Sequence, residues 1–268
     1  MRPLAAATVL MSLCSFAVPC AHAGSVPPET GRIEALAASP EPGVSSLAER
    51  LLAGLDSYER LRDYRAIFLK TEKDKTGAMG QEERIFLKFE KPFKIFMGWT
   101  NTHKKGLQVH YERGKHDNKL VIHKPGLAFG LAQVIFLPQD SPWVREGSAA
   151  YNIEDAGIGT FLYDFATAVV TAAERGQLSV APAGATDGPV EVSFPGTQKD
   201  KIFFAHRIRV SFDPETSLPV RMELYDWQDR PAGTYVYDDL RVDVGPDDPE
   251  LKKHANRRLY RVYTGDRG

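Results

Sequence analysis

The chain has 268 residues, 43% of them hydrophobic, with 34 Lys and Arg against 35 Asp and Glu and only two cysteines. This near-neutral balance, with no long run of one sign, excludes the basic excess that nucleic-acid binding requires. Both cysteines, Cys14 and Cys20, precede Gly24, so a chain processed there has no disulfide, no thiol nucleophile and no Cys-ligated zinc.

Arg2 is followed by the apolar run Leu4 to Val18 and by Ala21-His22-Ala23. A charged start, a short apolar stretch and an A-x-A site predict a signal peptide over 1–23, cleaved after Ala23, and a periplasmic or secreted destination. As a membrane anchor the run falls short of the about 20 apolar residues a span needs. Cys14 and Cys20 lack the preceding residues of a lipid-acylated cysteine. Residues 24–43, rich in Pro, Ala, Ser and Glu, read as a flexible leader with at most a short helical turn from Ile33 to Ala38. Residues 44–263 read as a single domain of about 200 to 230 residues, large enough to bury its own core.

A helix is predicted from about Ser45 to Leu61, capped by Ser45 or Ser46, with Glu49 at capping-box spacing and an apolar face of Leu47, Leu51, Leu55 and Tyr58. Period-two strands follow at 64–69, 84–89, 93–99, 107–111, 120–122 and 134–137, with Lys91-Pro92 as a tight link. Ile67 and Leu69 oppose Phe68, and Phe96 opposes Ile95 and Met97, so both faces of this sheet are expected to be covered. Gly157 to Gly176 reads as an amphipathic helix with Phe161, Leu162, Phe165, Val169 and Ala172 on one stripe. Strands resume at Val190. Ile202 to Val244 then gives three strands in succession, joined at 214–217 and 228–231, an antiparallel meander.

Catalytic signals are sparse. His103, His110, His116 and His123 share one stretch but stand at no metal-ligand spacing, and no metal or other cofactor is expected. No G-x-S-x-G, H-E-x-x-H, G-x-G-x-x-G or phosphate loop is present. His206, Asp213 and Asp226 are the candidates for an envelope hydrolase or assembly factor, provided that they converge. What remains is apolar bulk on strands and on the second helix. In a curved sheet, Phe68, Leu87, Phe89, Ile95, Met97, Trp99, Val109, Tyr111, Phe161, Phe165, Val210, Phe212, Met222 and Leu224 are candidates to line a hollow for an acyl chain. Asp213, Arg221 and Asp226 are candidate rim and turn residues.

The segments YRAIFLKTEKDKTG, QEERIFLKFEKPFKIFMGW, GLQVHYERGKHDNKLVIH, FFAHRIRVSFDPETSLPVRMELYDW and YVYDDLRVDVG resemble the bacterial domain of unknown function 1571 family. The Asp213 to Asp226 hairpin and the Lys91-Pro92 link are more distantly similar to periplasmic lipoprotein carriers of the LolA/LolB type. The resemblance implies an α+β fold: a strongly curved, half-open, barrel-like antiparallel sheet of about ten strands, wrapped around or covered by helices. The cavity-forming strand plan, the export signal and the lack of catalytic motifs together give the expectation of a non-catalytic protein whose partner is a lipid, a lipidated protein or another envelope protein, with peripheral membrane contact. No catalytic residue is carried over from the resemblance.

Overall fold

The computed structural model describes residues 28–73, 76–125, 134–141, 153–181 and 188–265; the expected signal peptide lies outside them. Eleven strands form one sheet, and every pairing in it is antiparallel. In chain order they are β1 (Asp63–Glu72), β2 (Glu83–Glu90), β3 (Lys94–Trp99), β4 (Gln108–Glu112), β5 (Leu120–His123), β6 (Val134–Leu137), β7 (Ser179–Val180), β8 (Val190–Ser193), β9 (Arg207–Phe212), β10 (Pro219–Tyr225) and β11 (Pro231–Val242). The spatial order is β6-β5-β4-β3-β2-β1-β11-β10-β9-β8-β7. Two meanders therefore meet at β1 and β11, and the outer strands β6 and β7 leave the sheet unclosed. The fold is α+β, as expected, with one strand more than anticipated.

Five helices complete the described fold: α1 (Thr30–Ala37), α2 (Pro42–Arg60), α3 (Ile158–Glu174), α4 (Pro249–His254) and α5 (Arg257–Thr264). The stretch expected to be a flexible leader is ordered from Thr30 onward, because Ile33 is fully buried in the core. Helix α2 begins at Pro42 rather than at Ser45, with Pro at its first turn and no side-chain cap. Proline needs no N–H partner there. Ser45 instead donates its hydroxyl to the Pro42 carbonyl, so the capping box does not form.

Helices α2 and α3 lie on the concave face of the sheet and pack against each other. Their crossing is close: a Cβ at Gly159 would fall 2.1 Å from Cζ of Tyr58. Gly157, at φ +119°, turns the chain into α3, and the Tyr64 hydroxyl accepts a hydrogen bond from the Ile158 N–H at 3.1 Å. That bond satisfies one of the open donors at the helix start. Helix α3 was expected to bury a stripe. It buries most of its circumference instead, including Asp164, Ala166, Ala168 and Val170.

The convex face of β2 to β5 carries a second apolar cluster, in which Phe86, Phe96 and Val121 are covered by Leu251, Leu259 and Tyr263 of α4 and α5. Both helices are short and rely on side-chain caps: Asp248 accepts from the Glu250 N–H, and Asn256 from the Arg258 N–H. Beneath them, Lys88 is fully buried and bonds Asp63 Oδ1 at 2.5 Å and the Gly245 carbonyl at 2.8 Å.

Candidate functional site

Period two puts the candidate side chains on the concave face, and strand register sorts them into rows. Leu87, Met97 and Val109 are direct neighbours across β2, β3 and β4, flanked by Ala66 and Ile122. Phe89, Ile95 and Tyr111 form the next row, and Tyr64 stacks on Phe89 with ring centroids 5.1 Å apart. Phe68 pairs with Ile85 and through it with Trp99. On the other meander, Met222 faces Val210, and Leu224 faces Ile208. Phe161 and Phe165 stack on one face of α3 at 5.4 Å. All of these belong to the main core and are almost fully buried. The face is therefore covered by α2 and α3 as it stands. Phe212 departs from the set: it is half-buried and borders a small pocket with Glu49, Arg50, Ala53, Asp213, Pro214 and Ser217.

The two ends of this apolar face differ in chemistry. At one end, the Trp99 indole N–H donates to Glu83 at 2.8 Å, Lys104 pairs with the same carboxylate at 2.5 Å, and Lys70 pairs with Glu72 at 3.2 Å. The Tyr235 hydroxyl donates to Glu72 at 2.8 Å. Burial pushes the Glu83 carboxyl up, but the Lys70 and Lys104 charges outweigh it and hold the group below its usual range. This network closes that end with paired charge.

At the other end, roughly 20 Å along β1 by strand rise, lies a pocket of about 250 Å³. The last turn of α2 supplies Tyr58 and Glu59, the β2–β3 hairpin supplies Phe89, Lys91, Pro92 and Phe93, and α3 with the turn before it supplies Glu154, Ala156, Thr160 and Tyr163; Arg113 follows β4. Tyr58, Phe89, Phe93 and Ala156 are buried, so the pocket floor is the margin of the core itself. The rim is charged: Lys91 stands 3.9 Å from Glu59, and Arg113 3.2 Å from Glu154. Lys91 Nζ sits 4.3 Å from the Tyr58 ring centre and the Arg113 guanidinium 5.1 Å from that of Phe93. Partial burial lowers the Lys91 ammonium below the usual lysine range despite Glu59 and Asp243. The Tyr111 and Tyr163 hydroxyls donate to Glu154 and Glu59, and burial together with those carboxylates raises both phenols.

These rim residues are not among those proposed from the sequence. Lys91-Pro92 was read only as a link, and Arg113 was not singled out. Nothing in the local pattern signals that a helix end, a hairpin and a second helix start converge there.

Of the proposed rim and turn residues, Asp213 and Asp226 fold turns. Asp213 accepts from the Glu215 and Thr216 N–H groups and from the Thr216 hydroxyl, and so folds the β9–β10 turn. Asp226 folds the next turn, accepting from the Gln228 and Arg230 N–H groups and from the Lys73 ammonium at 2.6 Å. Burial pushes its carboxyl up, but the bonds from Lys73 and Arg230 prevail and hold it far below its usual range. Arg221 is not at a rim: it lies on the convex face, paired with Glu223 at 2.8 Å. The hydrolase set also fails to assemble. His206 and Asp226 flank one end of the β9–β10 pair and Asp213 the other, a separation of about 20 Å by strand rise. Among the described residues no cluster of three or more His, Cys, Asp or Glu could hold a metal ion, and no helix is long and apolar enough to cross a membrane.

Residues 61–258 match the family described as Protein of unknown function (DUF1571). The chain belongs to this family. No curated protein matches the sequence. Among solved structures, it is similar to a putative outer membrane lipoprotein-sorting protein domain from Vibrio parahaemolyticus, at 12% identity, over 80% of this chain and 97% of that one, with a TM-score of 0.35. It is similar to a LolA superfamily protein from Nitrosomonas europaea at 10% identity, over 79% and 98%, with a TM-score of 0.33. The third is the MucA/MucB complex of Pseudomonas aeruginosa, at 12% identity, over 76% of this chain and 59% of that one, with a TM-score of 0.38. At such identities these are distant likenesses of fold.

Proposed function

We propose that this DUF1571 protein is a non-catalytic binder or carrier of a lipid, a lipid-modified protein or another amphiphile, exported by its N-terminal segment and working in the periplasm. The observation that carries the reading is continuity. The mouth pocket has the core side chains Phe89 and Phe93 for its floor, and Phe89 begins the row that runs through Ile95 and Tyr111 beneath the helices. A pocket floored by aromatic side chains, with a few charged groups at its edge and an apolar core behind it, has the form of an amphiphile site. The hydrolase reading has no comparable support, because its residues are apart and Asp226 is held in a turn.

Native mass spectrometry tests the proposal. The protein is delipidated, then measured before and after exposure to a detergent-free lipid extract. Adducts of lipid mass that appear on exposure support it. A bare protein mass in both states, with the fold intact by circular dichroism, rejects it. Export is read separately, as cleavage between Ala23 and Gly24 in the mass of protein recovered from the periplasm.

A further inference from the structure

The mouth pocket has a charge pattern that selects among amphiphiles. Its rim carries two cations, Lys91 and Arg113, and two anions, Glu59 and Glu154. Each cation faces one anion, at 3.9 and 3.2 Å. Both pairs are at least partly open to solvent, and such pairs contribute little by themselves. A ligand adds to these pairs without breaking them, since Lys91 is also held by the Tyr58 and Glu59 carbonyls and Glu154 by the Tyr111 hydroxyl. A purely anionic headgroup would meet Glu59 and Glu154 without a counter-charge, and a purely cationic one would meet Lys91 and Arg113. Like charges set against each other in this way penalise the wrong partner. A headgroup that carries both signs is complementary to the whole rim. The ring faces of Tyr58 and Phe93, already under Lys91 and Arg113, offer an ammonium group a further attractive surface. The pocket volume of about 250 Å³ suits a headgroup.

We infer that this pocket recognises a zwitterion in which an acidic oxyanion and an ammonium lie a few bonds apart, as in a phosphoethanolamine headgroup. Arg113 and Lys91 receive the oxyanion, and Glu59 and Glu154 receive the ammonium. This assignment rests on the amphiphile-binding reading for the tail, whereas the headgroup chemistry is a property of the rim alone.

Calorimetric titration of the delipidated full chain tests it with three probes: dihexanoyl phosphatidylethanolamine and dihexanoyl phosphatidylglycerol, both below micelle formation, and free phosphoethanolamine. The ethanolamine lipid is expected to bind about tenfold more tightly than the glycerol lipid, the discrimination that one charge-assisted contact provides. Arg113→Gln is expected to weaken the ethanolamine lipid by a similar factor. Glu59→Gln, at an exposed position, is expected to narrow the gap between the two lipids by relieving repulsion of the anionic one. Equal binding of both lipids, or no effect of Arg113→Gln in a protein of unchanged melting temperature, overturns the headgroup assignment and leaves the carrier reading standing. Binding of free phosphoethanolamine as tight as that of its lipid keeps the assignment and removes the carrier reading. No binding of any probe overturns the assignment.

Discussion

The two halves of the sheet are built on one alternation of side chains, yet they meet water differently. From β2 to β5 both faces are buried: α2 and α3 cover the concave side, and α4 and α5 cover Phe86, Phe96 and Val121 on the convex side. From β8 to β10 only the concave side is apolar. The convex side there carries a ladder of charge, with Arg207 bridging Glu191 and Asp229, and Arg209 and Arg221 both meeting Glu223. The first half depends on its cover and the second does not. The mouth pocket belongs to the dependent half, since Lys91, Phe93 and Arg113 all sit on or beside strands that the C-terminal helices brace from behind.

Removing the cover breaks that comparison most severely. A chain ending after Gly245 loses Leu251, Leu259 and Tyr263, all almost fully buried. At the usual value of a buried apolar side chain, the loss is about 5 kcal/mol or more. It also bares Phe86, Phe96 and Val121. The expected outcome is a lower denaturation midpoint, together with dye binding to exposed apolar surface. An unchanged midpoint would show that α4 and α5 are decoration.

The need for this cover was legible in the sequence, but its source was not. Phe86 and Phe96 point away from Leu87 and Met97 in the strand period, so bulk on both faces announced a second layer. That layer comes from helices of six and eight residues, too short for a periodic signal and started by caps that also read as turns. The candidate site divides in the same way. The period placed Phe68, Leu87, Met97 and Val109 on one face, and the register then set Leu87, Met97 and Val109 side by side. Tertiary closeness was beyond the pattern, so Glu59, Arg113 and Glu154, which are far apart in the chain, were missed. Arg221 was placed at the rim although its segment reads as a strand, and its strand parity sends it to the convex face.

Acid sharpens the comparison, because the braced half holds a neutral histidine. His110 lies fully buried on the convex side of β4, its Nδ1 hydrogen-bonded to the Ile95 carbonyl at 3.1 Å and its ring 5.2 Å from that of Tyr263. Burial, aided by the Lys94 and His116 charges, lowers its pKa to about 3. An unfolded histidine takes up a proton near pH 6.5. Between these values the unfolded chain binds more protons than the folded one, so stability is complete above about pH 6.5 and falls as the pH drops towards 3. The loss should be on the order of a few kcal/mol. Urea denaturation from pH 7 to pH 4 checks it, and His110→Asn should flatten that slope.

The open half should hardly respond to the matching test. Arg209 is half-exposed and stands 3.6 Å from Glu223, a carboxylate that Arg221 reaches at 2.8 Å. Removing Arg209 leaves Glu223 paired, and an exposed ion pair of this kind is worth at most about 0.5 kcal/mol. Arg209→Ala should therefore move the urea midpoint by little more than the measurement error. A shift comparable to that of the truncation would mean that the charge ladder braces its half as α4 and α5 brace theirs. The open half would then depend on its outer face after all, through charge instead of apolar cover.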